Sequence, residues 1–132
     1  MSPLRRLACG LLLLGAACGA NLTGPELAGQ WGGPEAIVTL APSGGTIQYS
    51  CAEGTIDPSW TLSSGGRWRA TGQHFTGGGP VPPGGHPPHP AIYSGTVRGN
   101  QLTFTVTLTD LDQVLGPYTV TKGRSSHMNL CL

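Results

Sequence analysis

Charge is scarce in this sequence, at 10% of residues, and aromatic rings are scarcer still, at 6%. No run of Lys and Arg stands ready to neutralise phosphates, which argues against nucleic acid as a partner. No Gly-x-Ser-x-Gly nucleophile elbow occurs, and no nucleotide-binding glycine fingerprint. The chain is therefore expected to be non-enzymatic and to use no cofactor. The apolar run Leu7 to Ala17 is about half the ~20 residues that cross a bilayer, so a retained transmembrane helix is not expected. A dozen-residue window with an unbroken 3.6-residue apolar period is also missing, because Gly, Pro, Ser and Thr interrupt each one.

What is present begins with an export signal. Arg5 and Arg6 precede the Leu-rich run, and small residues follow it, the order of a signal peptide over residues 1–17. Leu14-Gly15-Ala16-Ala17-Cys18 resembles a bacterial lipobox, although Gly15 stands where an aliphatic residue is usual. Lipidation of Cys18 would hold the protein on a membrane surface. The alternative is simple secretion after cleavage near Ala17 or Ala20. Residues 18–30 then read as a tether and 31–132 as one domain of ordinary size. Beyond Cys18 five basic residues face six acidic ones, a net charge of −1.

Two cysteines remain, Cys51 and Cys131. A pair in an exported chain reads as a disulfide, and a loop that long would be stabilised by roughly 4 kcal/mol on the chain-entropy argument. Two separate buried thiols are the competing reading.

Strand signals run through the mature chain. In QLTFTVTLT, residues 101 to 109, Leu102, Phe104, Val106 and Leu108 alternate with four threonines, the pattern of a sheet with one dry face. Ala91 to Arg98 joins it through Gly99-Asn100, which suits a primed hairpin turn because both residues tolerate positive φ. Further strands are expected at 36–41, 46–51, 60–62, 67–75, 118–122 and 128–132. About eight short strands with turns every ten residues predict an all-β fold, a single antiparallel barrel or sandwich. Each half is near the size below which a core fails alone, and the cysteines sit one in each half. The Gly/Pro-rich stretch at 76–90 is therefore expected to be a loop inside one fold rather than a linker.

Leu27-Ala28-Gly29-Gln30-Trp31 carries a Gly-x-Trp that resembles the start of lipocalin-like barrels. The resemblance implies that Trp31 plugs one end of a barrel, with Lys122 or Arg124 packed over it. The series AGQWGG, IQYSCAEGTI, YSGTV, LTFTVTLTD and NLCL is also similar to small exported bacterial β domains, which implies no activity. Trp31, Tyr49, Trp60, Trp68 and Tyr93 are the aromatics expected to fill the core or line a pocket, core filling being favoured.

Among polar candidates, His86 and His89 have His-x-x-His spacing that suits zinc or copper. PGGHPPHPA has no neighbouring carboxylate or regular structure to orient them, so solvated loop histidines are the stronger expectation. Asp110 and Asp112 are too few oxygens for a calcium loop. Glu53 and Asp57 form a nominal acid pair for glycoside hydrolysis, but a turn is expected there. The mouth of a barrel or the 74–90 stretch is where a partner would bind. The expected partner is a small apolar ligand held as in lipocalins, or an envelope protein if the core is filled. The expected location is a bacterial cell envelope, or outside the cell.

Overall fold

Side-chain alternation builds nine strands in the computed structural model, which describes residues 27–77, 80–126 and 128. They are β1 (Gly29–Gly32), β2 (Ala36–Ala41), β3 (Gly44–Tyr49), β4 (Ala52–Ile56), β5 (Thr61–Leu62), β6 (Arg67–Thr76), β7 (Pro88–Arg98), β8 (Gln101–Leu108) and β9 (Gln113–Lys122). The expected signal peptide, Cys18 and Cys131 lie outside the described residues, as does nearly all of the expected last strand.

Each strand pairs antiparallel with its neighbour in the chain, except that β4 passes β5 and pairs with β6 from Ala52↔Thr76 to Ile56↔Gly72. β9 returns to β1 through Trp31↔Lys122 and Gly32↔Thr121. Eight strands thereby close a barrel, and β5 is an extra strand on β6 at Thr61↔Arg69 and Leu62↔Trp68. Closure removes the sheet edges that an open meander would expose. In such an up-and-down order alternate connections share an end. The β1–β2, β3–β4, β6–β7 and β8–β9 connections crowd one end, called the mouth here, and the remaining ones gather at the other.

The strand at 101–108 has the expected faces: Leu102, Phe104, Val106 and Leu108 are buried. Thr103 and Thr119, directly opposed on β8 and β9, bond through their hydroxyls at 3.1 Å. At the β7–β8 turn only Gly99 takes a positive φ, 60°. The left-handed residue is thus the first of the two central ones, as in a type II′ turn, rather than both.

Several boundaries differ from the sequence expectation. Leu27 is fully buried and β1 starts at Gly29, so the fold begins inside the supposed 18–30 tether. The supposed turn around Glu53 to Asp57 is β4 up to Ile56, and its Gly54 hides the strand pattern. A Cβ on Gly54 would sit 2.8 Å from the Tyr93 hydroxyl. That hydroxyl spans the β4–β6 seam, 3.0 Å from the Thr55 carbonyl and 3.1 Å from that of Gln73. The loop expected at 76–90 is shorter, because Pro88, His89 and Pro90 belong to β7 and oppose Phe75, His74 and Gln73. β9 begins five residues before the expected Tyr118, and a register shift between Phe104 and Val106 accommodates the Gly116-Pro117 interruption, a bulge position that tolerates proline.

The barrel interior is occupied by rings. Trp68 stacks on Tyr93 at 6.0 Å and meets Phe104 edge-on at 5.9 Å. Phe104 contacts Tyr118 at 5.4 Å, Tyr118 contacts Tyr49 at 5.1 Å, and Tyr49 contacts His74 at 5.4 Å. Pairs at these separations contribute about 0.5–1.5 kcal/mol each beyond the area they bury. Trp31 is buried, donates its indole N–H to the Leu27 carbonyl at 2.9 Å, and has the Lys122 ammonium 5.8 Å from its ring centroid.

Candidate functional site at the barrel mouth

The chain of rings ends at the mouth. Tyr49 closes β3, His74 lies near the end of β6, and Tyr118 follows the bulge in β9. These positions face inward by strand alternation. With Glu35 from the β1–β2 turn, Ser50, Cys51, Ala52 and Leu115 they line a cleft of about 290 Å³. That is at the lower edge of the ~300–1,000 Å³ usual for small-molecule sites. Below it Phe104, Trp68 and Tyr93 fill the axis, so the cleft is shallow rather than a deep calyx. A larger cleft of about 400 Å³ flanks the same β3–β4 turn, but outward-facing Gln48, Glu53 and Phe75 contribute to its walls.

Two polar atoms at the mouth are anomalous. The Tyr49 hydroxyl and His74 Nδ1 are buried, and neither has a hydrogen-bond partner among the described residues. Tyr49 is 6% exposed and His74 3%. An unsatisfied buried polar group costs about 1–3 kcal/mol, so two at one cleft ask for an explanation. The third such atom, Trp68 Nε1, lies deeper in the core. Burial, with smaller contributions from Tyr93 and Tyr118, pushes the Tyr49 phenol far up. Burial first, then the Glu35 carboxylate, raises the Tyr118 phenol. Burial first, then His89, lowers His74. The three rings are therefore neutral near pH 7.

His89 opposes His74 across β6 and β7, a placement that puts both side chains on one face. Its Nδ1 is 2.7 Å from Asp110 Oδ2 in the β8–β9 turn. This supplies the carboxylate partner that the local sequence around His89 lacks, from 21 residues away. His86 instead lines the outer cleft beside Cys51 and Glu53, so the two histidines are not brought together as a pair. Among the described residues no three His, Cys, Asp or Glu side chains gather as a metal site.

The other candidates separate. Glu53 is exposed near the start of β4, whereas Asp57 follows its end and accepts a bond from the Thr71 hydroxyl at 2.9 Å. Four residue steps of strand put their Cα positions about 13 Å apart, against the ~6.5–9.5 Å between carboxyl groups of an inverting glycosidase pair. Trp60 lies at the far end, its indole N–H donating to the Ala41 carbonyl at 2.9 Å. Trp31, Trp68 and Tyr93 are core residues. Of the five expected aromatics only Tyr49 lines the inner cleft. His74, Tyr118 and Glu35 were missed. The signal for His74 was its in-phase spacing with Trp68 and Ala70 along β6, but histidine is not an expected inward residue.

Three large apolar side chains are conspicuously exposed among the described residues: Val81 at 68%, Leu111 at 51% and Val114 at 63%. All three lie on the β6–β7 and β8–β9 segments of the mouth. The chain matches no protein-family model, no curated protein and no solved structure, so a functional reading rests on this geometry.

Proposed function

We propose that the protein is an exported, lipid-anchored, non-enzymatic β-barrel that binds a small ligand in a shallow cleft at its mouth. The observation that carries the reading is the pair of unsatisfied buried polar atoms, on Tyr49 and His74, at one ring-lined cleft. A barrel selected only for stability gains from apolar residues at those positions. The filled axis favours a ligand seated at the rim over an apolar molecule engulfed as in lipocalins. The Lys122–Trp31 contact has the arrangement implied by the Gly-x-Trp resemblance and supports a related barrel plan.

The reading includes a Cys51–Cys131 bridge. Cys51 lies at the mouth, and the described residues after β9 return as far as the β1–β2 turn there, where the Ser126 hydroxyl bonds to the Gly33 carbonyl. Anchoring through Cys18 follows from the lipobox-like sequence.

Thermal unfolding of the mature domain against a panel of small cationic, neutral and anionic compounds tests this function. A ligand that binds only the folded state raises Tm, and the rise should vanish in Tyr118→Leu. The exposed Val81, Leu111 and Val114 favour a second reading, an envelope protein docked on the same end. A panel without effect, together with a stoichiometric partner co-purifying from envelopes and lost on Leu111→Ser, would support that reading instead.

A further inference from the structure

We propose that the mouth cleft takes a protonated primary amine, with its ammonium group between the Tyr49, His74 and Tyr118 rings and the Glu35 carboxylate. The inference rests on the mouth being a ligand site and names the chemistry of that ligand.

Charge is the first argument. Among the described residues Glu35 is the only Asp, Glu, Lys or Arg lining the cleft. The mouth connections also carry Asp110 and Asp112, and Glu53 lies at the adjoining start of β4. Arg67, Arg69, Arg98 and Lys122 sit on strand ends away from it. Arg124 and Glu35 share a separate outer cleft, yet no ion pair between them is present among the described residues. A carboxylate beside the cleft disfavours anions and attracts cations.

The rings are the second argument. Tyr49 contacts both Tyr118 and His74, at 5.1 and 5.4 Å with interplanar angles of 52° and 57°. Tilted, neutral aromatic faces around a small space are the usual surroundings of an organic cation. The unsatisfied atoms are the third. A neutral phenol oxygen and a neutral imidazole nitrogen both accept hydrogen bonds, and an ammonium group brings three donors. Both residues line the cleft, which brings these two acceptors to its wall. A cleft of about 290 Å³ admits an amine of a few carbon atoms, so the affinity of a minimal probe should be on the order of millimolar.

The test is a ¹H–¹⁵N NMR titration of the mature domain at pH 7 with n-butylamine, 1-butanol and butyrate, compounds of similar length that differ in charge. The amine should bind about tenfold or more tightly than the alcohol, with butyrate weakest. Glu35→Gln, on an exposed turn, should weaken the amine about threefold to fivefold and leave the alcohol unchanged. Tyr118→Phe keeps a ring and should retain amine binding, whereas Tyr118→Leu should lose it. Equal binding of alcohol and amine at the mouth, or tighter binding of butyrate, would overturn the amine assignment while leaving the ligand site standing. Absence of shifts at the mouth with all three would overturn both.

Discussion

His74 shows how one residue links burial, charge and role. Its imidazole is held in a ring-lined interior, where burial and then His89 disfavour the protonated form. The unfolded chain therefore binds a proton more readily than the folded one. The sign follows: the stability associated with neutral His74 is present above the unfolded value of about 6.5 and is lost as pH falls through the lower folded value. The urea midpoint should fall between pH 7.5 and pH 5.0, and His74→Leu should flatten that slope. At pH 7.5 the variant should be equal to the natural protein or more stable by about 1 kcal/mol, because an unsatisfied buried atom is removed. A steep loss of stability in His74→Leu at pH 7.5 would show that Nδ1 has a structural partner.

At the scale of elements, the β4–β6 seam is where closure is most exacting. β4 is five residues long, and on Gly72 of its partner a Cβ would lie 1.8 Å from the Thr55 carbonyl oxygen. Gly72→Ala forces the strands apart and also displaces the carbonyls that receive the Tyr93 hydroxyl. A loss of about 1–3 kcal/mol is expected, read as a lower urea midpoint. Gly84→Ala, on the mouth loop with open space around it, involves no such contact and serves as a comparison; it should show only the cost of positive φ, roughly 1–2 kcal/mol, and leave the seam intact.

The same seam explains which elements were legible in the sequence. β8 could be read directly because its alternation is continuous and both faces obey it. β4 could not, because the inward Gly54 removes the apolar mark that alternation needs. Its place depends on a hydroxyl 38 residues away in sequence. Pro88 and Pro90 concealed the start of β7, and Gly116-Pro117 concealed that of β9. Proline and glycine read locally as breakers, while rim positions and bulges admit them. The mouth was legible as a place, from the resemblance and the loop count, but its residues were not. Tyr49, His74, Tyr118 and Glu35 come from four separate segments, and only ring closure brings them together.

At the scale of the whole molecule, export, anchoring and cross-linking form one expectation with one readout. The intact mass of the protein taken from membranes should correspond to a chain starting at Cys18 with added acyl groups. Alkylation before reduction should label neither Cys51 nor Cys131, and alkylation after reduction should label both. Cys51→Ser should lower stability by about 2–4 kcal/mol. A soluble, unacylated product with two reactive thiols would contradict the anchor and the bridge together, without touching the barrel.

The barrel itself is closed, ring-filled and polarised toward one end. That end holds the two unsatisfied atoms at the inner cleft, the exposed apolar side chains and most of the carboxylates. The central claim is that this end binds a ligand. Its most direct test is the map of backbone amide shifts when the ¹⁵N-labelled mature domain is titrated with n-butylamine. Saturable changes confined to Glu35, Tyr49 to Ala52, His74 and Leu115 to Tyr118 are predicted. Changes centred on Trp60, Arg98 or Lys122 at the opposite end, or no saturable change at all, would contradict it.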